Sequence, residues 1–432
     1  MKKRLLIHLL FCILLLSLPV FSALSAPEVT LRWYLRWDQT RIRNVAEPVK
    51  EEYERLNPGV NIVIENIASG DEYWLKLQTM LAANAAPDVI YPATHHAYIL
   101  SSKNQLLDLM PFVERDNIDL SVYIPAVLDL YKYEDILYAL PIDTAALVTF
   151  YNKEMFDASG VPYPTDDMTW DEFIAMGKRL VRDTTGDGRI NQYAVHLDTD
   201  IYWPMLVYHM TGEYLFDDLY QPTEFLLKKQ EQINAVQYYA DIIVKHGLAP
   251  TPSQQAGITD TFLAGVAAMN IVGHWRVPTY NAEAKFEWDV AALPRGKYPA
   301  NRGEGSGFAV TKDTKHPEAA WQFVNYLAGP DAPGTKKLLE LGLMVPSQLP
   351  LCESELFVNT PGQRQINKQA FLAWRDNPVV FYQPFHPIFD EVNNILKGEL
   401  ADVWEGKDTA EAAVKRATPR VEALLREAAL FN

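Results

Sequence analysis

Gly303-Glu304-Gly305-Ser306-Gly307 sets a serine among glycines beside a carboxylate. That composition suits a nucleophile turn, but the Ser falls one residue late for the GxSxG spacing that exposes a nucleophile at a strand-to-helix elbow. No P-loop or HExxH pattern occurs in the chain. Carboxylates are plentiful, and a glycosidase needs two of them opposed about 5 to 9 Å apart, which no spacing here specifies. His95-His96 could ligate a metal, but the other histidines lack ligand spacing, so a loop pair is the simpler reading. Asp183, Thr185 and Asp187, with Gly188 next, match positions 1, 3, 5 and 6 of a calcium loop. Position 12 is Ala194 instead of the bidentate Glu, which favours a glycine-rich turn leading into a strand from Tyr193 to His196. No catalytic residue, metal or cofactor is expected.

Sugar recognition suits the composition better, with ten Trp, 22 Tyr and 12% aromatic residues. A pyranose offers C–H faces and a rim of hydroxyls, so its site needs flat aromatic platforms with carboxylates or amides beside them. Such residues stand in predicted loops: Trp37-Asp38, Thr94-His95, Asp143, Trp203, and Tyr382 with Phe385 between Pro378 and Pro387. Each has a plainer alternative. Trp37 can pack the first helix, Asp143 can cap locally, Trp203-Pro204 opens an apolar helix, and the Tyr382–Phe385 loop can be a lid packed on its lobe. Ser306 lies in a Gly-rich stretch where backbone can approach a ligand or serve only as a hinge. Trp170, Trp321 and Trp404 fall within helix patterns and read as core.

The elements that must position these residues alternate in type. Val29, Leu31, Trp33 and Leu35 at period two predict a first strand. Ile42, Val45, Ala46, Val49, Tyr53 and Leu56 predict a helix ended by Asn57-Pro58-Gly59, and Val60, Ile62 and Ile64 a second strand. Trp74, Leu77, Leu81 and Ala85 mark another helix before a third strand at Val89-Ile90-Tyr91. This βαβ grammar predicts a parallel, doubly wound N-terminal lobe. Thr169 and Glu172 predict a capping box ahead of a helix buried through Trp170, Phe173, Ile174, Gly177, Leu180 and Val181. Phe308-Ala309-Val310 reads as a strand, followed by a helix that His316-Pro317-Glu318 opens and Gly329-Pro330 ends. The 432 residues, 48% hydrophobic, exceed what one core holds, so two lobes are expected.

Lys2, Lys3 and Arg4, the apolar run Leu9 to Leu18 and Ala23-Leu24-Ser25 read as a secretory signal peptide cleaved after Ser25. Cys12 lies inside the apolar run, so a lipoprotein cysteine is missing at the cleavage site. Only Cys352 would remain, which excludes an internal disulfide. With 39 basic against 55 acidic residues, nucleic acid and anionic membrane surfaces are poor partners.

Leu140-Pro141-Ile142-Asp143, Tyr151 to Phe156, and Pro164 through Thr169 to Phe173 carry LPxD, YNKxxF and PxTWDEF elements, the last lengthened by Asp167 and Met168. This run closely resembles the extracellular solute-binding proteins that feed ABC importers, the family containing maltose-binding protein. Ser306 to Ala332 resembles the family's return segment, in which the chain re-enters the N-terminal lobe. Phe262, Gly265, Ala268 and Met269 resemble its FxxGxxAM segment, from which a strand presents a Trp to the sugar, here Trp275. The loop at Trp37-Asp38 corresponds to one that offers a carboxylate. The loop Pro92 to His96 departs from the Trp and Asp that maltose-binding protein uses there.

The resemblance implies an α/β, two-lobed periplasmic-binding-protein fold, each lobe a doubly wound sheet, joined by crossing hinge segments near Asp143 to Phe150, Gly303 to Phe308 and Met344 to Ser347. The expected division is a signal peptide over 1–25, an N-terminal lobe of 26–146 plus 308–346, and a C-terminal lobe of 147–307 plus 347–432. It implies a periplasmic monomer that captures a mono- or oligosaccharide by hinge closure and delivers it to ABC permease subunits in the inner membrane. The ligand-binding set is Trp37, Asp38, His95, Asp143, Trp203, Trp275, Ser306, Tyr382 and Phe385. Alternatives are a polyol, glycerol phosphate or polyamine in the same fold, or a secreted glycosidase. Arg36, Arg41, Arg276 and Arg302 lie near these loops and leave a phosphorylated or acidic sugar open.

Overall fold

The computed structural model describes residues 29–133, 136–200, 202–302, 304–360, 364–373, 385–386 and 388–429. The expected signal peptide, Gly303 and Tyr382 lie outside the described residues. The strands used below are β1 (Val29–Leu35), β2 (Val60–Asn66), β3 (Val89–Ile90), β4 (Leu140–Pro141), β5 (Asp143–Thr144), β6 (Leu147–Asn152), β7 (Tyr193–His196), β8 (Ala267–Gly273), β9 (Trp288–Ala292), β10 (Gly307–Val310) and β11 (Val345–Pro346).

Two sheets carry the architecture. The first has the order β2-β1-β3-β10-β4 and the second β9-β6-β8-β7. β1 runs parallel to β2 and β3, with Trp33 opposite both Ile64 and Val89. The expectation of a wholly parallel sheet is corrected at β10, which pairs antiparallel with β3 and with β4. A strand arriving from the second sheet enters from the opposite end, so it runs against its neighbours. The sheet is covered on both faces: Tyr34, on the polar face of the β1 alternation, is fully buried and stacks on Tyr73 at 4.4 Å.

Each sheet has its own aromatic core. Trp33 packs on Trp37, Phe308 and Phe323 in the first, and Phe150 on Tyr280 and Trp288 in the second. The first-sheet cluster includes a residue from the far side of the chain, since the helix Pro317–Ala328 lays Phe323 and Val324 under β1. The capping box forms as its residues specify: Glu172 N–H donates to Thr169 Oγ1, and Thr169 N–H donates to Glu172 Oε2 at 2.8 Å. Among the described residues no helix is long and apolar enough to cross a membrane.

That capped helix (Trp170–Leu180) is tied inward by a buried imidazole. Trp170 Nε1–H donates to His209 Nδ1 at 3.0 Å, and His209 Nε2 lies 2.8 Å from the Ala300 carbonyl oxygen. An indole N–H can only donate, so Nδ1 is bare and the proton sits on Nε2, donated to Ala300. Burial depresses the His209 pKa to about 4, with the Ala300 carbonyl opposing. His96 and His274 are held to about 3, again chiefly by burial. The unfolded chain therefore takes up these protons first, near the ordinary value of about 6.5. Stability present above that pH is lost as pH falls through the window toward 4, at up to about 1.4 kcal/mol per pH unit for each histidine. Melting temperature should drop between pH 7 and pH 5, and His209→Gln should shallow the slope. A melting temperature that does not move across this window would contradict the burial of neutral imidazoles.

Candidate functional site

Residues 142–146 and 293–306 connect one sheet to the other, and they run side by side with β11. β5 pairs antiparallel with β11, Thr144 opposite Val345. On its other side Ala145 N–H donates to Glu304 O at 2.5 Å and Ile142 N–H to Ser306 O at 3.0 Å. Ser306 N–H donates to the Asp143 carboxylate at 2.6 Å, and Ser347 Oγ donates to Pro141 O at 2.8 Å. Gly305 makes the approach possible, because a Cβ there would lie 2.1 Å from the Asp143 carbonyl oxygen. At Gly307 the constraint is the Leu140 carbonyl, 2.7 Å from where a Cβ would sit. Small residues in this stretch thus serve contact between crossing strands.

The carboxyl ends of β1 and β3 open beside this crossing, where ligands of α/β sheets sit. Arg36 follows β1; its Nη2 donates to Ser306 Oγ at 2.8 Å and its guanidinium lies over the Tyr91 ring. His95 stands in the first turn of the helix Thr94–Ser102, whose N-cap Ala93 has no side chain to offer. Its ring packs on His96, which stacks on Trp74 at 3.9 Å. Burial, then His96, Arg302 and Arg36, push the His95 pKa well below its ordinary value. Asp143 is raised by burial, with the Ser306 N–H, Arg36 and Arg41 pulling the other way. From the second sheet, Trp275 follows β8. It is the most exposed described tryptophan at 36%; its ring rests on Gly273, and Arg302 lies 5.9 Å from its centre. Several polar atoms around this crevice are buried without a hydrogen-bond partner: Arg36 Nε, Arg41 Nε, His95 Nδ1, His274 Nδ1 and Glu304 Oε1. Native interiors rarely leave such atoms unsatisfied; Arg36 Nε can donate to a polar ligand, Glu304 Oε1 can accept, and each neutral imidazole Nδ1 can do either by tautomer, while Arg41 Nε has the Asp38 carboxylate 3.5 Å away.

Of the residues expected from sequence, His95, Asp143, Ser306 and Trp275 surround this crevice. The structure places Trp37, Asp38, Trp203 and Phe385 in other roles. Trp37 packs edge-on against Trp33 and Tyr91 with 2% of its surface exposed, because the chain turns inward after β1. Asp38 caps the short helix Gln39–Arg41 by accepting from Arg41 N–H. Trp203 is buried at the start of the helix Trp203–Thr211, facing Trp404. Phe385 is buried between Tyr98 and Tyr220, and Tyr382 lies outside the described residues. In the loop at Asp183, the carboxylate accepts from the N–H groups of Thr185, Gly186 and Gly188. It organises its own turn, and among the described residues no group of three candidate ligands could hold a metal. Sequence reasoning missed Tyr91, His96, Trp74 and Glu304 as neighbours of the site. A polar or aromatic residue straight after a buried strand was the available signal only for Tyr91.

Residues 38–332, more than half of the chain, match the bacterial extracellular solute-binding protein family. The chain belongs to this family. It is a binding protein and not an enzyme. The solute-binding chain is 26% identical over 273 residues to an arabinooligosaccharide-binding protein of Bacillus subtilis, an alignment covering 60% of each. It is 25% identical over 333 residues to a lactose-binding protein of Rhizobium radiobacter, covering 74% of each. Its fold is that of an ABC substrate-binding protein from Listeria monocytogenes solved with cycloalternan, at a TM-score of 0.78 and 23% identity over 92% of this chain and 99% of that one.

Gly305→Ala is expected to force the Asp143 and Glu304 strands of this binding protein apart, since the contact is with backbone that cannot rotate away. Overpacking of this kind costs about 1 to 3 kcal/mol. Thermal denaturation should show a clear fall in melting temperature, larger than that of Ser306→Ala, which keeps the backbone hydrogen bonds and loses the Oγ acceptor of Arg36.

Proposed function

We propose that this chain is the substrate-binding component of an ABC sugar importer, holding a mono- or oligosaccharide between two lobes in the periplasm and passing it to membrane permease subunits. The lobes are the two sheets with their helices, divided at the crossing segments much as 26–146 plus 308–346 and 147–307 plus 347–432. The leader 1–25 directs secretion, and the mature chain works as a monomer.

Trp275 carries this reading. An indole resting on Gly273, 36% exposed and near buried polar atoms that have no partner, offers an aromatic surface to a sugar ring. The relatives named for arabinooligosaccharide and lactose, and the neighbour solved with cycloalternan, support a saccharide as the ligand. Closure supplies the signal to the permease: Tyr98, beside the first sheet, meets Tyr220 at 4.7 Å and Phe385 at 5.6 Å from the other side. Ligand that contacts both lobes favours the closed form by its differential affinity.

Calorimetric titration across mono- and oligosaccharides, with scattering to follow the radius of gyration, tests the proposal. Binding heat with compaction is expected, and a flat response to every saccharide would sink it. Trp275→Ala should weaken affinity at least about tenfold with little change in melting temperature. Gly273→Ala, whose methyl would land 1.9 Å from the ring, should displace the indole and weaken affinity similarly. Equal loss of affinity and stability in Trp275→Ala would assign that residue to packing instead.

A further inference from the structure

We infer that the saccharide held in this cleft carries an anionic group, a carboxylate or phosphate ester, and that Arg36 receives it. The inference rests on the sugar-binding reading above and names the class of sugar.

Four arginines flank the crevice, and three are neutralised within the chain. Arg302 pairs with Glu304 at 2.6 Å, Arg276 with Asp260, and Arg41 with Asp38 at 3.5 Å. Arg36 has no carboxylate within 4 Å among the described residues. It is half-buried, fixed by Ser306 Oγ on one side and the Tyr91 ring on another, and its Nε is buried with no acceptor. Holding a guanidinium in this way costs desolvation that only an opposing charge recovers. Asp143, the acid that bears on it, has an oxygen committed to the Ser306 N–H.

Two further features face the same space. The helix Thr94–Ser102 begins without a side-chain cap; Thr94 N–H donates to Gly305 O at 3.2 Å, and the N–H groups of the first turn beyond it add the positive end of the helix. His95 in that first turn has a buried Nδ1 without a partner. The charged groups bearing on His95 are Arg36 and Arg302, both cationic. A planar anion can take paired hydrogen bonds from the Arg36 fork while the sugar ring lies toward Trp275. In a chain of net charge −16, a crevice whose Arg36 has no ion pair among the described residues, with Asp143, the acid bearing on it, already bonded to Ser306, marks selection for charge in the ligand.

The test is calorimetry of the full mature chain with matched ligands: glucose and galactose oligosaccharides, the corresponding glucuronate and galacturonate forms, and glucose 1-phosphate. An acidic form should bind at least about tenfold more tightly than its neutral counterpart, by an amount that shrinks as salt is raised. Uronate and phosphate arms separate the two sources of charge. Arg36→Gln should abolish the preference for the acidic form, while Arg36→Lys should retain part of it; melting temperatures check that both variants fold. Neutral sugars binding as tightly as acidic ones would overturn the inference and leave the sugar-binding reading standing. No saccharide binding, charged or neutral, would overturn both.

Discussion

Backbone hydrogen bonds between residues 142–147 and 301–306 hold the molecule's two sheets in one relationship, and the rest of the structure is arranged around them. Ala145 and Ile142 donate to carbonyls of the opposing strand, and the Asn301 side chain clamps both the N–H and the carbonyl of Leu147. The pairing is possible because Gly305 and Gly307 carry no side chain where other backbone stands within 3 Å.

The same crossing shapes the site. Ser306 donates its N–H to Asp143 and accepts from Arg36 at its hydroxyl oxygen, joining the end of β1 to the crossing segments through one residue. Charged and imidazole side chains share this region with Tyr91 and Trp275, and burial rather than any single partner dominates the shifts of His95 and Asp143. Keeping His95 and His96 neutral avoids adding to the positive charge of Arg36. Trp74 stacks on His96, and His95 packs against His96 at a tilt, so the three rings form one aromatic wall.

Much of the fold was legible beforehand because local rules do not depend on long-range geometry. The β1 alternation, the stop at Asn57-Pro58-Gly59, the Thr169–Glu172 capping box and Pro317 at a helix start each act within a few residues, and each forms as read. The direction of β10 was not legible, since it depends on which end of the first sheet the chain re-enters. In the site, Trp275 was recoverable through motif resemblance. Trp37 and Trp203 were not separable from it by type, because a Trp after a strand or before a helix is as well placed for the core as for a ligand.

By itself the sequence determined the family, the order of elements and the aromatic and basic residues available for binding, since spacing and composition are written along the chain. Only the tertiary structure decided which of those residues meet. Arg41, Arg276 and Arg302 find carboxylates and Arg36 does not, because that outcome turns on separations of a few ångströms between positions as distant in sequence as Arg36 and Ser306.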